Sequence, residues 1–206
     1  MASSMIHIAV ANEVNKVLKR DQSRLFIGSI APDLAKLVGS HKNKSHFIGD
    51  EQDIPVMERF LAKYKKNLDD DFVMGYYIHL YTDYLWFKYF FPEICDGDFI
   101  KKLDGTTVKC NGRMATLYIY NDYTNLNVKL IDRYKLDLKI FYNEVPEFEN
   151  IIEEITMDKV HLIVDKVGEI VKNSKDNKTM TIDIEKVSNF IKMATELTLA
   201  SLNDIK

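Results

Sequence analysis

The sequence predicts an all-α protein, a single helical domain over residues 1–206 with one small irregular or hairpin insertion near 95–113. Three observations carry this. Apolar residues recur at three- and four-residue spacing through most of the chain. Only eight Gly and four Pro occur in 206 residues, too few for a turn-dense β design. With 46% hydrophobic and 29% charged residues there is material for a real core, and no Pro-, Gly- or Ser-rich linker divides it.

Taken in order, residues 5–18 place Ile6, Val10, Val14 and Val17 near helical spacing, with Asn12, Asn15, Lys16 and Lys19 largely opposite and His7 on the stripe of Ala11, Val14 and Leu18. Residues 26–33 (Phe-Ile-Gly-Ser-Ile-Ala-Pro-Asp) read as a turn or loop, which puts Asp33 at a loop end or in a first helical turn. Pro55 opens a helical run through Met57, Phe60, Leu61 and Tyr64, since a helix start tolerates its missing N–H. Asp69, Asp70 and Asp71 suit the positive end of the apolar helix expected over 72–91, which Pro92 should end. The pairs Asp96-Gly97, Asp104-Gly105 and Asn111-Gly112 mark turns around short β-prone stretches. Helical spacing resumes over 114–136, 148–171 and 182–202.

Several function classes are disfavoured. A net charge of -3 gives no basic footprint for phosphate backbones, so no nucleic-acid partner is expected. The N-terminus lacks the basic and apolar regions of an export signal, and Cys95 and Cys110 are too few for a disulfide framework; both fit a cytoplasmic location. Residues 72–91 are long enough to span a bilayer, but His79, Asp83 and Lys88 fall inside them, and an Asp at mid-span costs roughly 2.5–3.5 kcal/mol. A helix buried in protein, with no transmembrane segment, is the better reading.

The chemistry-bearing residues are few. His79 and Asp83 lie four apart, on one helix face, a spacing that can chelate one ion or make a hydrogen-bonded pair in a polar notch. His7, Asp33 and His46 come from separate segments, and neutral imidazole with ionised carboxylate is a first-choice zinc ligand set. His41 sits among lysines that repel cations. His161 and Asp165 repeat the chelate spacing, and Asp122 is a further carboxylate. There is no His-Glu-x-x-His motif, no phosphate-cradling Gly-rich loop and no Gly-x-Ser-x-Gly elbow. Tyr76, Tyr77, Tyr81, Tyr84 and Trp86 around the His79 helix read mainly as core, with one or two free to orient a substrate.

The series His7, Ile30-Ala-Pro-Asp33, Ser45-His46-Phe47 and Gly75-Tyr-Tyr-Ile-His79-Leu-Tyr-Thr-Asp83-Tyr-Leu-Trp86 resembles the zinc-dependent phospholipase C family, its short bacterial members above all, across about the first half of the chain. The resemblance implies a multi-helix bundle of that type. It implies that Asp33, His46, His79 and Asp83 form a first metal position, that Asp83 bridges, and that His7 helps hold a second ion. Secreted members complete that second position with an N-terminal Trp, which has no counterpart here, and form a third with two His and a Glu, the last two at His-x-x-x-Glu spacing, for which His161 and Asp165 are the only later pair at chelate spacing.

The function expected on these grounds is a zinc- or other metal-dependent hydrolase with one to three ions, acting on a small-molecule phosphoester through an activated water. Asp33 and Asp83 are the expected catalytic carboxylates, and His7, Asp33, His46, His79 and Asp83 the metal ligands. The alternative is a non-catalytic helical metal-binding protein with a degenerate site of the same origin. The sequence yields no oligomeric state.

Overall fold

A computed structural model describes residues 1–49, 54–110 and 112–205. The chain is mostly helical, with one small antiparallel sheet. Helix α1 (Ser4–Leu18) starts at Ser3, whose hydroxyl accepts the Ile6 N–H, and ends at Lys19 in the left-handed conformation, φ 57°. It is buried almost all round between α6 (Asp71–Leu85), α8 (Gly112–Tyr134) and α10 (Ile184–Ile205). The expected amphipathic stripe therefore understates its burial: Ile6, Ile8, Ala9, Val10, Ala11 and Val14 are all inaccessible.

Helix α2 (Gln22–Gly28) is capped by Asp21, which accepts the Arg24 N–H, and it packs across α6, capped in turn by Asp70 accepting from Phe72 and Val73. Two glycines allow that crossing. A Cβ on Gly75 would lie 2.1 Å from the Leu25 carbonyl oxygen, and one on Gly28 would lie 2.2 Å from that of Phe72, so any larger residue forces the backbones apart. Phe26 to Gly28 are thus helical where the sequence predicted a loop. The loop begins only at Ser29, and Asp33 ends a short 3-10 turn (Ala31–Asp33) that leads into α3 (Leu34–Leu37). Helices α4 (Lys42–Ser45) and α5 (Met57–Tyr64) follow.

Pro92 does not end the long apolar helix. The chain passes from α6 through a π-helical turn (Trp86–Phe90) into α7 (Phe91–Ile94), where Pro92 occupies a first-turn position that needs no N–H donor. The expected hairpin is a three-stranded sheet, β1 (Cys95–Asp96), β2 (Phe99–Lys101) and β3 (Thr107–Lys109), with Cys95 opposite Ile100 and Ile100 opposite Val108. Gly97 and Gly105 turn it with φ of 54° and 84°.

The helix expected over 148–171 is half right. Only α9 (Val160–Lys172) forms, preceded by a 3-10 turn (Met157–Lys159). Upstream, buried Glu154 accepts from the Tyr64 hydroxyl at 2.6 Å and pairs with Lys63, while the Glu153 N–H donates to the same Tyr64 oxygen; these tertiary bonds hold 148–156 in an irregular path. Side chains from α1, α2, α6, α8, α9 and α10 share one apolar core. No helix among the described residues is long and apolar enough to cross a membrane.

Candidate metal centre

His79 sits in the middle of α6 with no accessible surface, and its Nδ1 lies 2.8 Å from the Ser29 carbonyl, the first peptide beyond α2. The close Gly28–Gly75 crossing delivers that carbonyl. With Nδ1 carrying the proton, the Nε2 lone pair points inward. His46, at the end of α4, is arranged likewise: its Nδ1 contacts Ser45 Oγ at 2.9 Å and the Lys42 carbonyl at 3.3 Å. The two Nε2 atoms then face each other at 3.3 Å. Two unprotonated nitrogens at this distance repel unless a positive centre lies between them. Nitrogens each about 2.0–2.1 Å from one tetrahedral zinc would lie about 3.3 Å apart.

Carboxylates surround the pair. Asp83 Oδ2 is 3.5 Å from His79 Nε2 and 3.9 Å from His46 Nε2, and Asp33 Oδ1 is 3.6 Å from His46 Nε2. The other Asp83 oxygen accepts the Ala2 N–H at 3.0 Å and lies 3.4 Å from His7 Nε2. The His7 ring stacks on that of His79, centroids 3.8 Å apart. Neither His7 nitrogen, nor Asp83 Oδ2, has a hydrogen-bond partner among the described residues, although all three atoms are buried. Such orphaned groups are costly unless something fills the site, and here all are metal-ligand types. Two ligand groups result, His7 with His79 and Asp83, and Asp33 with His46 and His79, sharing His79. The five residues expected from the sequence thus come together from α1, the turn before α3, the end of α4, and α6.

Electrostatics favour the neutral imidazole at His7 and His46 and the ionised carboxylate at Asp33 and Asp83. Burial, reinforced by His79, lowers His7 to about 4, and burial likewise lowers His46 despite its contact with Asp33. Burial alone would raise both carboxyls. At Asp33 it is outweighed by His46 and the Lys36 ammonium, and at Asp83 by His7 and His79, so both are held well below the usual carboxylate range.

The remaining candidates lie elsewhere. His161 and Asp165 are exposed on the outer face of α9, and His41 is exposed ahead of α4. Asp122 is buried, but its oxygens accept the N–H groups of Met180, Thr181 and Ile182 and the Thr181 hydroxyl, which makes it an anchor for the segment entering α10. The Tyr76 hydroxyl bonds to the Ser45 carbonyl and the Tyr77 hydroxyl pairs with Ser201, so these two of the aromatic residues read mainly as core are committed to packing.

A cavity of about 390 Å³ adjoins the centre, and of the five ligands Asp33 alone lines it. Lys36, 2.7 Å from Asp33 Oδ1, shares that lining with Tyr120, Tyr123 and Asn127 of α8 and Lys166 of α9. These neighbours were not predicted from the sequence. Lys36 carries a legible signal, three residues after Asp33 on a short helix, whereas the others reach the cavity only through tertiary packing.

No family model, curated protein or solved structure matches the chain.

Proposed function

We propose that the chain is a metal-dependent hydrolase of phosphoesters, related to the zinc-dependent phospholipase C family as its His and Asp series suggests. The observation that carries this reading is the pair of inward-facing Nε2 atoms of His46 and His79, 3.3 Å apart between two ionised carboxylates. His46, His79, Asp33 and Asp83 would hold one ion, and His7 with the second face of Asp83 would help hold another. Zinc is the expected metal, since imidazole and carboxylate suit it.

A divalent ion held there supplies Lewis acidity toward a phosphoryl oxygen and a lowered pKa for the attacking water. The chain supplies orientation. The Ser29 and Lys42 carbonyls fix the imidazole tautomers, the supporting role that backbone acceptors play around metal ligands. Asp33, at the cavity wall, accepts a hydrogen bond from the attacking water and sets its direction. Its carboxyl is held too low to retain a proton at neutral pH, so orientation is its main part. Lys36 faces the same oxygen and balances charge at the cavity edge.

The test is hydrolysis of chromogenic phosphomonoesters and phosphodiesters by the purified chain. Activity that a chelator abolishes and added zinc restores supports the reading, and none with any divalent metal, at full metal occupancy, refutes it. That outcome would leave a non-catalytic metal-binding protein, a reading favoured by the complete burial of His7, His46, His79 and Asp83.

A further inference from the structure

The cavity beside Asp33 has a composition of its own. Its charged lining is Asp33, Lys36 and Lys166, two cations against one anion in a chain of net charge -3, and the Asp33 carboxylate already faces Lys36 at 2.7 Å and His46 at 3.6 Å. No carboxylate in the lining is left to recognise a cationic group. The first turn of α1 forms another wall through Ser3, Ser4 and Met5. The Ile6 and His7 N–H groups are taken by Ser3, while the first turn's own leading N–H groups have no intrahelical acceptor and give that wall a positive end. A helix end alone would decide nothing. Independently, Asn127 lines the cavity at 2% exposure, its Nδ2 is held by Ser174, and its Oδ1 has no partner among the described residues, an acceptor with nothing to accept. Leu37, Ile163, Val167 and Ile170, neighbours of Lys36 and Lys166 in the chain, add apolar surface to the lining.

We infer that this cavity binds a small phosphomonoester of an apolar or aromatic alcohol: the dianionic phosphate lies between Asp33, Lys36, Lys166 and the start of α1, and the organic group lies against the α9 wall. The inference rests on the proposed hydrolase reading. A volume of about 390 Å³ lies near the lower end of the 300–1,000 Å³ typical of small-molecule sites, room for a compact ligand. Lys36 is shared with Asp33 and Lys166 with the exposed Glu169 at 3.3 Å, a solvent-screened pair that a ligand can displace, so these lysines and the helix start favour an anion with two charges over a phosphodiester with one, and disfavour a cationic head group. The Asn127 oxygen accepts a hydrogen bond from the released alcohol or from the protonated oxygen of the inorganic phosphate product. In the reaction, the bond from phosphorus to the alcohol oxygen breaks and a bond from the water oxygen to phosphorus forms. One water proton ends on the released alcohol and the other stays on inorganic phosphate, so no further reactant is needed.

The test is titration calorimetry of the full chain, after zinc dialysis and elemental analysis, with phenylphosphonate, inorganic phosphate and phosphocholine. The expected order is phenylphosphonate tightest and phosphocholine weakest, with Lys166→Glu weakening phenylphosphonate about tenfold at unchanged metal content. Lys166 is exposed on α9, so folding should survive, and circular dichroism checks this. Ile163→Asp should weaken phenylphosphonate more than inorganic phosphate. A metal-loaded chain that binds none of the three, or binds phenylphosphonate equally well with Lys166→Glu, overturns the inference and leaves the hydrolase reading standing. A chain that takes up no metal overturns the hydrolase reading instead. The same titration of that metal-free chain still reads the cavity, where weaker phenylphosphonate binding sensitive to Lys166→Glu is expected and its absence rejects the assignment.

Discussion

At Asp83 a metal centre and a merely hydrogen-bonded polar core make the most divergent demands. As a bridging carboxylate it needs both oxygens charged; as an acceptor for the Ala2 N–H it needs only one oxygen of any kind. Asp83→Asn keeps the shape and removes the charge. The expected outcome is loss of bound metal and a fall in phosphoesterase activity by orders of magnitude, with the helical circular dichroism retained. Metal content and activity equal to wild type would reduce Asp83 to a structural acceptor whose replacement costs about 1 kcal/mol. His7 offers an independent reading in the metal-free chain. Burial and His79 lower it to about 4 from 6.5, so as pH falls through about 6.5 the unfolded chain takes up a proton that the folded chain refuses until about 4. Its contribution is complete above 6.5 and is lost between those values, on the order of 3 kcal/mol. Denaturant titrations of chelated protein at pH 7.5 and 4.5 should show this drop, and His7→Gln should flatten it. An unchanged slope in that variant would place the linkage elsewhere.

Among the elements, the α2–α6 crossing positions the centre, because it carries the Ser29 carbonyl to His79. Gly75→Ala would set a methyl 2.1 Å from the Leu25 oxygen, so the helices must separate. A loss of about 3 kcal/mol, together with weakened metal retention, is expected from urea unfolding and elemental analysis. Asp122→Ala makes the contrasting case: it strands the buried N–H groups of Thr181 and Ile182, the part-buried one of Met180 and the Thr181 hydroxyl, and should cost about 2–3 kcal/mol with metal content untouched. Metal loss there at full folding would move Asp122 into the centre's support. The same elements mark what sequence alone reveals. Helix α6 is legible because apolar periodicity, an Asp cap and the His79–Asp83 spacing agree. The helical state of Phe26 to Gly28 is hidden because Gly28 reads as a breaker, while its real task is a contact with a helix some fifty positions away. The irregular path of 148–156 is hidden for a similar reason, since helical spacing there yields to the Glu154–Tyr64 bond.

On the scale of the whole molecule, candidate ligands drawn from four separate segments would make metal binding and folding one equilibrium. The five candidate ligands are legible in the sequence through the His79–Asp83 spacing and the resemblance of the His and Asp series to a known family, since a single imidazole or carboxylate reads equally well as hydrogen-bonded core. The cavity is not, because Lys166, Asn127 and Tyr123 join Asp33 around it only once α8 packs on α1 and α9 packs on α3 and the Ala31–Asp33 turn. Tyr123, for instance, spends its hydroxyl on the Met1 carbonyl, a contact across 122 positions that no local pattern announces. The most direct test of the centre is elemental analysis of the purified chain and of His79→Ala after dialysis with zinc and removal of free metal. At least one retained ion per wild-type chain and a substoichiometric amount in His79→Ala are predicted; a wild-type chain that holds no metal, or a variant that holds as much as wild type, would contradict the account.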